Sequence, residues 1–399
     1  MTEGRAFAVV GAGIIGCAVA RELLSRLPGA AVTVYEKEPR VGAHQSSHNS
    51  GVVHAGLYYP PGGLKARLCR RGVGLLEELC REHDVPYLTC GKVLVARDEP
   101  EVDRLRAIHA RATANGVPGV RLVGPQELRE IEPHVVGAGA LHSPRTAITD
   151  FAAVTRALAD DVLARGGTLQ LGEEIRTILS TASGAEVRTD TAAARYDAVV
   201  VCAGLQSDRL ARRSGAPREP AIVPFFGQYY RVDPSHEHLT RGLVYPVPDP
   251  RHPFLGVHLT RRVDGGMTVG PNAFLSPGRE RYAGWMPDLP DLRDVVTAPG
   301  FWRLAARNVP TAAAEALTVL RPARFLAEAR AYVPALADAT LTYDTRGVRA
   351  QALGQDGALV DDFVIQRSGP VTHIRNAPSP GATSSLAIAE HIVDDVLDR

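Results

Sequence analysis

Cysteine is scarce in this sequence, and its few copies are badly placed for a disulfide frame or a structural metal site. The 399 residues contain five cysteines, none of them in a Cys-x-x-Cys pair. An odd number without close pairs is typical of free thiols in a reducing compartment. We therefore expect no bound metal, no disulfide frame and a cytoplasmic protein.

An excess of charge of either sign is also absent. Lysine and arginine together number 45, and aspartate and glutamate number 44. Such a balance gives no steering towards nucleic acid, so we expect no nucleic-acid partner. The arginine-rich residues 300–336 are predicted to form helices broken at Pro310 and Pro322, and they leave peripheral contact with the inner face of a membrane open.

The sequence has no apolar run of about 20 residues, the length that a helix needs to cross a bilayer. Residues 6–20 are apolar and end in Ala-x-Ala like a signal peptide, but three glycines interrupt them and Glu3 precedes them. We therefore reject the signal-peptide interpretation. A chain of 399 residues is too long for one ordinary core, so we expect two domains.

The N-terminal segment carries the strongest motif in the sequence. Residues 6–10 predict a strand buried on both faces of a parallel sheet, and a helix is predicted from about residue 14 to residue 27. Between them Gly11 allows a tight turn, Gly13 lets a pyrophosphate approach the backbone, and Gly16 lets the helix lie close to the strand. This G-x-G-x-x-G spacing predicts a dinucleotide site with the pyrophosphate at the helix N-terminus.

An acidic residue stands where such a site needs one. The second predicted strand ends at Glu36, 20 residues after Gly16, and we expect Glu36 and the following Lys37 to contact the cofactor. A carboxylate at this place accepts both ribose hydroxyls of adenosine and repels a 2′-phosphate. The motif therefore favours FAD or NAD over NADP, and by itself it does not separate the first two.

The loop after Glu36 distinguishes FAD from NAD through its resemblance to the loops of known proteins. Its residues 46–59, SSHNSGVVHAGLYY, are small, polar and uncharged. The longer stretch EKEPRVGAHQSSHNSGVVHAGLYY resembles the loop after the second strand in flavoproteins of the D-amino-acid oxidase/glycerol-3-phosphate dehydrogenase superfamily, where it runs past the pyrophosphate towards the flavin. The resemblance implies that FAD is the cofactor. It also implies cofactor contacts from Ser46, Ser47, Asn49, Ser50 and Gly51.

The likeness extends to one family within that superfamily. The block HNSGVVHAGLYYPPGGLKARLCRRG resembles the L-2-hydroxyglutarate oxidase/dehydrogenase family, as do the later blocks HPFLGVHLTRR, GVRAQAL, GALVDDF and RNAPSPGATSSLAIAEHI. The resemblance implies FAD-dependent oxidation of L-2-hydroxyglutarate to 2-oxoglutarate, with electrons passed on to quinone or oxygen. The alternatives are oxidation of another 2-hydroxy or amino acid, and a flavoprotein whose role is binding.

The resemblance also implies a fold and a division into domains. The expected class is α/β, with a Rossmann-like FAD-binding domain of the D-amino-acid oxidase type. An interleaved α+β substrate domain is expected to be built on a mostly antiparallel sheet. We assign residues 1–85, 146–215 and 345–399 to the FAD-binding domain, and residues 86–145 and 216–344 to the substrate domain.

Several local patterns add to this picture. Residues 198–202 predict a buried strand, and the turn Ala203–Gly204 after it lets backbone approach the cofactor. Residues 168–178 predict a short antiparallel strand. The run Asp264–Gly266 predicts a hairpin between two strands of the substrate domain.

A turn of small residues precedes the predicted C-terminal helix LAIAEHIVDDVLD. Its serines and Thr383 are plausible N-caps. If the helix begins at the flavin, its dipole favours the negative charge of the reduced ring. We therefore expect cofactor contacts from Pro380, Gly381, Ala382, Thr383 and Ser384.

Oxidation of a 2-hydroxy acid needs a base for the hydroxyl proton, and imidazole titrates near neutral pH. His54 and His258 are the candidates. Alternation along the strand places His258 on the face opposite to Leu259. His54 has a second candidate role, because a histidine in a similar loop of the related dimethylglycine and sarcosine dehydrogenases is bonded covalently to the flavin.

The carboxylates of the substrate need cationic partners. Arg349 is the first candidate, because a guanidinium fork binds a carboxylate in two places. Its position resembles that of the substrate arginine elsewhere in the superfamily, and Arg346 is a nearby alternative. The remaining candidate substrate contacts, among which the sequence does not choose, are Arg261, Lys65, Tyr245 and Tyr59.

Overall fold

The computed structural model describes residues 4–249, 256–308 and 323–398. The strands in these ranges are β1 (Ala6–Val10), β2 (Ala31–Glu36), β3 (Val52–Val53), β4 (Tyr87–Leu88), β5 (Lys92–Ala96), β6 (Arg121–Val123), β7 (Gly139–Ser143), β8 (Ala147–Thr149), β9 (Thr168–Leu171), β10 (Thr177–Thr181), β11 (Gly184–Arg188), β12 (Ala193–Tyr196), β13 (Ala198–Val201), β14 (Ala221–Val232), β15 (Leu243–Pro246), β16 (His258–Arg261), β17 (Met267–Gly270), β18 (Phe274–Leu275), β19 (Leu341–Leu353), β20 (Val364–Ser368) and β21 (Val371–Asn376). The α-helices are α1 (Ile14–Arg26), α2 (Leu64–Glu82), α3 (Glu99–Ala114), α4 (Pro125–Ile131), α5 (Phe151–Ala164), α6 (Ser207–Arg213), α7 (Leu289–Val296), α8 (Phe301–Arg307), α9 (Ala323–Arg330) and α10 (Ser385–Leu397).

The first sheet carries the nucleotide motif. Its strand order is β20-β21-β13-β1-β2-β9, and its neighbours run parallel except for the edge pair β20 and β21. Alternate residues of β1 enter different cores. Phe7 and Val9 pack with α1, α5 and α10, whereas Ala8 and Val10 face the small antiparallel sheet of β10, β11 and β12. The predicted strand–helix–strand unit around the glycines is therefore confirmed.

The prediction for residues 168–178 is wrong in part. These residues form two strands instead of one antiparallel strand. The first, β9, pairs parallel with β2 at the edge of the first sheet, because α5 before it supplies the crossover that a parallel pairing requires. The second, β10, pairs antiparallel with β11 as predicted.

The second sheet is mostly antiparallel. Its order is β18-β14-β17-β16-β15-β5-β7-β6, and the long β19 pairs with β14 on the side of this path. Strands β16 and β17 form the predicted hairpin across Asp264–Gly266. The assigned domain boundary at residue 345 lies inside β19, whose residues 341–353 pair with β14 throughout.

A loop between β18 and α7 ties the second sheet to the first. Arg279 in this loop is fully buried and donates to the carbonyl of Leu205 at 2.6 Å and to the carboxylate of Asp208. Nearby, the ring of Tyr282 stacks on His48 with centroids 4.0 Å apart. These contacts hold the loop after β2 and the region around α6 against the second sheet.

The turn before α10 differs from the prediction in its capping. Helix α10 is preceded by Ser384, whose side chain makes no cap hydrogen bond, and Thr383 accepts a hydrogen bond from the backbone N–H of His54 at 3.1 Å instead. The predicted side-chain caps are therefore wrong. The hydroxyl of Thr383 is used to join this turn to the loop that contains His54.

The arginine-rich segment is described only in part. Helices α8 and α9 lie on either side of residues 309–322, so the predicted breaks at Pro310 and Pro322 lie outside the described residues. Within the described ranges, no helix combines the length and the apolar character that crossing a membrane requires.

Packing at Gly16 allows a direct test of the first strand–helix contact. A Cβ atom added to Gly16 would lie 1.9 Å from the carbonyl oxygen of Gly11. We expect Gly16→Ala to lower the free energy of unfolding by at least about 1–3 kcal/mol, because the backbone must move to remove the overlap. Urea unfolding followed by circular dichroism measures the change.

Gly74 supplies a matched control inside another helix. A Cβ atom there would meet nothing within 4 Å, and the residue is exposed. We expect Gly74→Ala to stabilise the protein by about 0.5–1 kcal/mol, because alanine has the higher helix propensity. Equal effects of the two substitutions would contradict the packing argument.

Candidate active site

A cavity of 770 Å³ lies between the two sheets. Residues of β1, of the loop after β2 and of the turn before α10 line one side, and residues of β14, β15, β16 and β19 line the other. Cofactor and ligand sites typically measure about 300–1,000 Å³. The cavity is thus of a size suited to a large ligand that contacts both sheets.

One end of this cavity has the features expected around a nucleotide. Glu36 is 8% exposed, and its carboxylate accepts hydrogen bonds from the backbone N–H of Ala12 at 2.9 Å and of Glu38 at 3.0 Å. These bonds fix the carboxylate where it can receive ribose hydroxyls. The glycines that line this end are Gly11, Gly13 and Gly16.

Lys37 also lines the cavity, but carboxylates already surround its ammonium. Its Nζ donates to Glu38 at 2.5 Å and to Glu280 at 2.8 Å. His44 lies in the same cluster, and its Nε2 is 3.0 Å from the Glu38 carboxylate. The Lys37 ammonium thus supplies the positive charge between these acids. The cluster also links the loop after β2 to the loop that contains Glu280.

Only some residues of the polar loop line the cavity. The Ser46 hydroxyl accepts a hydrogen bond from the N–H of Ile14 at 2.9 Å, which leaves its own proton free to donate into the cavity. The Asn49 side chain holds the loop itself, because its amide donates to Gln45 and Ser46 and its oxygen accepts from Gly51. The predicted residues that line the cavity are Ser46, Asn49 and Ser50, whereas Ser47 and Gly51 do not line it.

Two further predicted segments reach the cavity. The turn after β13 contributes Ala203 and Gly204. The turn before α10 contributes Pro380, Gly381, Ala382 and Thr383, whereas Ser384 does not line the cavity. The buried hydroxyls of Ser384 and Ser385 have no hydrogen-bond partner among the described residues. The positive end of the α10 dipole therefore lies beside the cavity, with polar groups still to be satisfied.

These features together fit FAD. The glycine floor at the N-terminus of α1 suits a pyrophosphate, and the fixed carboxylate of Glu36 suits a ribose. The N-terminus of α10 suits the end of a flavin that gains negative charge on reduction.

The two candidate histidines both line the cavity. His258 Nδ1 donates to the carbonyl of Gly256 at 2.9 Å, so the unprotonated Nε2 remains available as a proton acceptor. His54 Nε2 lies 3.3 Å from the hydroxyl of Ser379. Burial, reinforced by the positive charge of Lys92, lowers the pKa of each imidazole to about 3. Both rings are therefore neutral near pH 7.

Most of the predicted substrate contacts lie near these histidines. Arg349, Tyr59, Tyr245 and Lys65 all line the cavity. Lys65 is 5% exposed and donates to the backbone oxygen of Asp361 at 2.9 Å and to its carboxylate at 2.7 Å. The Asp361 side chain is 88% exposed, so a buried cation is paired here with an acid that extends into solvent.

The structure does not bring Arg261 to the cavity. Side chains alternate along β16, so Arg261 shares the face of Leu259, and His258 occupies the other face. The guanidinium of Arg261 donates to the carbonyl of Thr240 at 3.3 Å. Its predicted contact with the substrate is therefore wrong.

Arg346 is excluded for a similar reason. It lies three residues before Arg349 on β19 and is absent from the cavity wall. Its guanidinium lies 4.5 Å from the ring centroid of Phe226 and 4.4 Å from that of Trp285. Arg349 is therefore the better placed of the two arginines.

Sequence reasoning missed three residues at this end of the cavity. Tyr58 and Tyr229 line it, and Tyr229 lies beside Arg349. Lys92 is 3% exposed, and its Nζ lies 3.9 Å from the centroid of the Tyr245 ring. The available signal was a single lysine at the start of the otherwise apolar strand KVLVA, whose neighbours depend on long-range pairing.

Several basic side chains surround His54. After burial, the groups that lower the pKa of His54 are Lys92, His258, Lys65 and Arg349. The arrangement suits a ligand that brings its own negative charge.

The sequence and the fold both match known flavoproteins. The family described as FAD dependent oxidoreductase matches residues 6–395. The structure is similar to L-alpha-glycerophosphate oxidase from Mycoplasma pneumoniae with FAD bound, with a TM-score of 0.76, 22% identity and coverage of 99% of this chain and 95% of that one. It is also similar to glycine oxidase from Geobacillus kaustophilus, with a TM-score of 0.74, 20% identity and coverage of 99% and 95%. These similarities confirm the predicted fold and FAD as the cofactor.

Relatives with a higher sequence identity to this chain share one name. The L-2-hydroxyglutarate dehydrogenase of Nematostella vectensis, which is mitochondrial, is 42% identical over 98% of this chain and 90% of that protein. The mitochondrial protein of the same name from Homo sapiens is 38% identical over 98% and 88%. That of Salmonella houtenae is 39% identical over 98% and 92%. The chain therefore belongs to the L-2-hydroxyglutarate dehydrogenase family of FAD-dependent oxidoreductases.

Proposed function

We propose that the protein oxidises L-2-hydroxyglutarate to 2-oxoglutarate with FAD as the hydride acceptor. The observation that carries the proposal is the group of basic residues around His54, namely Lys92, Lys65 and Arg349. L-2-Hydroxyglutarate carries two carboxylates, so it would bring negative charge to this basic group. The names of the relatives support the same substrate.

Arg349 and Lys65 are the proposed partners of the two carboxylates. The Arg349 guanidinium would hold the carboxylate next to the reacting carbon, because its planar fork fixes orientation as well as charge. Lys65 would hold the distal carboxylate. Its present partner, Asp361, is mostly exposed and can turn back to water when the substrate takes its place. Tyr245 and Tyr59 line the space near Lys65 and His258.

His258 is the proposed base. Its Nδ1–H is held by Gly256, and its Nε2 would take the proton of the substrate hydroxyl as the bond from the reacting carbon to hydrogen breaks. When bound, FAD accepts that hydrogen as a hydride. Because Ser379 lies against Nε2 of His54, we propose that the flavin is held without a covalent bond to this histidine. Acid precipitation that releases all of the yellow colour would support this view.

The substrate can be tested on the purified yellow protein. We expect anaerobic addition of L-2-hydroxyglutarate to bleach the visible flavin band, and the D enantiomer to leave it unchanged, because only one enantiomer presents its hydrogen to the flavin while both carboxylates are held. Absorbance spectra record the result. A flavin that dithionite reduces but L-2-hydroxyglutarate does not would contradict the substrate, and would favour another 2-hydroxy or amino acid.

Lys65 determines the preference for a second carboxylate in this proposal. We expect Lys65→Met to raise KM for L-2-hydroxyglutarate about 10- to 100-fold, because a charge-assisted hydrogen bond of about 1.5–3 kcal/mol is lost. L-2-Hydroxybutyrate lacks the distal carboxylate, so its kcat/KM should change little. Steady-state kinetics on both substrates measure the difference.

The control for this variant is Arg67→Met, which removes a positive charge from the exposed face of the same helix α2. It should leave both substrates within about twofold of the unaltered protein, since exposed charges contribute little. An equal loss for both substrates in Lys65→Met would show a structural role and would sink the assignment.

We propose that the electrons then leave to a quinone or to oxygen, and one surface supports the quinone. Among the described residues, large apolar side chains between 285 and 302 are exposed: Trp285, Met286, Leu289, Leu292 and Trp302. Exposed arginines, Arg293 and Arg303, lie among them. Apolar side chains bordered by cations suit peripheral contact with the membrane in which a quinone dissolves.

Reoxidation after bleaching separates the two acceptors. We expect a short-chain quinone to restore the yellow band faster than air-saturated buffer does, and anionic lipid vesicles to carry the protein down on centrifugation. The double variant Met286→Ser/Leu289→Ser should sediment less and react with the dissolved quinone as before. Fast reoxidation by air alone would identify oxygen as the acceptor instead.

A further inference from the structure

Lys92 lies two strands away from His258 in the second sheet. It begins β5, which pairs parallel with β15, and β15 pairs in turn with β16. Tyr245 on β15 therefore lies between the two neighbouring strands. Its ring stacks on His258 with centroids 3.8 Å apart, and the Lys92 Nζ lies 3.9 Å from its centroid. Lys92, Tyr245 and His258 thus form one stack across three adjacent strands.

The position is costly for an ammonium group. Lys92 is 3% exposed, and among the described residues its Nζ has no hydrogen-bond or ion-pair partner. Its polar contacts are the rings of Tyr245 and of Tyr58, whose centroid lies 5.2 Å away. A ring face attracts a cation far less strongly than a carboxylate does. A methionine would fill the same space without the cost of burying a charge.

Among the buried groups of this stack and its surroundings whose pKa is shifted, Lys92 is the one that titrates near neutral pH. Burial lowers the pKa of Lys92 to about 7. Burial keeps Tyr58 and Tyr245 protonated by raising the pKa of each. His54 and His258 have pKa values of about 3 and are neutral, and the basic side chains of Arg349 and Lys65 line the same cavity. On the same face of β5, helix α3 contributes apolar side chains: Leu105, Ile108 and Ala112.

We infer that Lys92 is a positioning residue of this active site. Its ammonium lies against the Tyr245 ring that stacks on His258, and it supplies a positive charge that is balanced only when a dicarboxylate occupies the cavity. The inference rests on the proposed function, since it requires a dianionic ligand next to His258.

The inference has a consequence for binding at different pH values. A bound dianion favours the protonated form of Lys92, so it raises the pKa of this amine above its value in the free protein. Affinity is then full below about pH 7 and is lost as pH rises through the free value. The loss is at most about tenfold per pH unit for one proton.

Glutarate is a suitable probe, because it has both carboxylates but no hydroxyl to oxidise. Its Kd can be read from the perturbation of the visible flavin band, without turnover. For the unaltered holoenzyme we expect binding about tenfold weaker at pH 8 than at pH 6. Lys92→Met should bind about tenfold more weakly at pH 6 and lose the dependence on pH. Lys92→Arg, which stays charged, should restore tight binding at both pH values.

Lys65→Met is the matched comparison, since it also removes a cation near the ligand. It should weaken binding at both pH values and keep the ratio between them, because Lys92 is intact. Flavin content and circular dichroism confirm that each variant is folded. Methionine in place of Lys92 relieves the cost of burial, so this variant should fold.

Two results would overturn the inference. One is an unchanged Kd and an unchanged ratio in Lys92→Met, and the other is a failure of glutarate to bind at either pH. The substrate proposal is judged separately by bleaching. If glutarate follows the expected pattern while L-2-hydroxyglutarate fails to bleach the flavin, the role of Lys92 stands and the named substrate falls. If L-2-hydroxyglutarate bleaches the flavin while Lys92→Met leaves the glutarate Kd and its pH ratio unchanged, the named substrate stands and the role of Lys92 falls.

Discussion

Close approaches of backbone to backbone at glycine residues shape the walls of the cavity, and two of them lie on its opposite sides. A Cβ atom at Gly16 would lie 1.9 Å from the oxygen of Gly11, and one at Gly347 would lie 2.6 Å from the oxygen of His48. The first contact sets α1 against β1, and so aims the helix N-terminus at the cavity. The second sets β19 of the other sheet against the polar loop. These two approaches bring the nucleotide motif and β19, which carries Arg349, to the same cavity.

The balance of charges at the end of the cavity that contains His54 differs from that of the whole chain. The chain as a whole balances 45 basic with 44 acidic side chains. Around His54 basic side chains predominate: after burial, Lys92, Lys65 and Arg349 lower its pKa, and Asp361, the partner of Lys65, extends into solvent. Lys92 is buried without an ion-pair partner among the described residues, and a negatively charged ligand would offset the cost of burying its charge. The imbalance therefore points to the charge of the ligand more directly than any single side chain does.

The sequence predicts what local spacing determines. The glycines, the following helix and Glu36 are separated by fixed distances along the chain, so the nucleotide end could be placed from the motif. Alternation along β16 likewise placed His258 on the correct face. The same rule, applied to Arg261, would have excluded this arginine from the substrate site. Lys92 could not be found this way, because its burial depends on the pairing of β5 with β15, strands that lie about 150 residues apart in the chain. The hydrogen bond from Ile14 to Ser46 also depends on a tertiary contact, whereas the Asn49 bonds that shape the loop are local.

The cations and the proposed base act on one another through the ligand. In the free protein burial, reinforced by the positive charges of Lys92 and Arg349, lowers the pKa of His258 to about 3, which keeps it neutral as a base requires but also makes it a weak base. A bound dianion offsets those charges and so raises the affinity of the imidazole for a proton. A ligand with one carboxylate offsets less of the charge and leaves the base weaker. Under the proposed function, the residues that hold the second carboxylate would therefore also couple it to proton removal, so selectivity for a dicarboxylate would extend from binding to the rate of the chemical step.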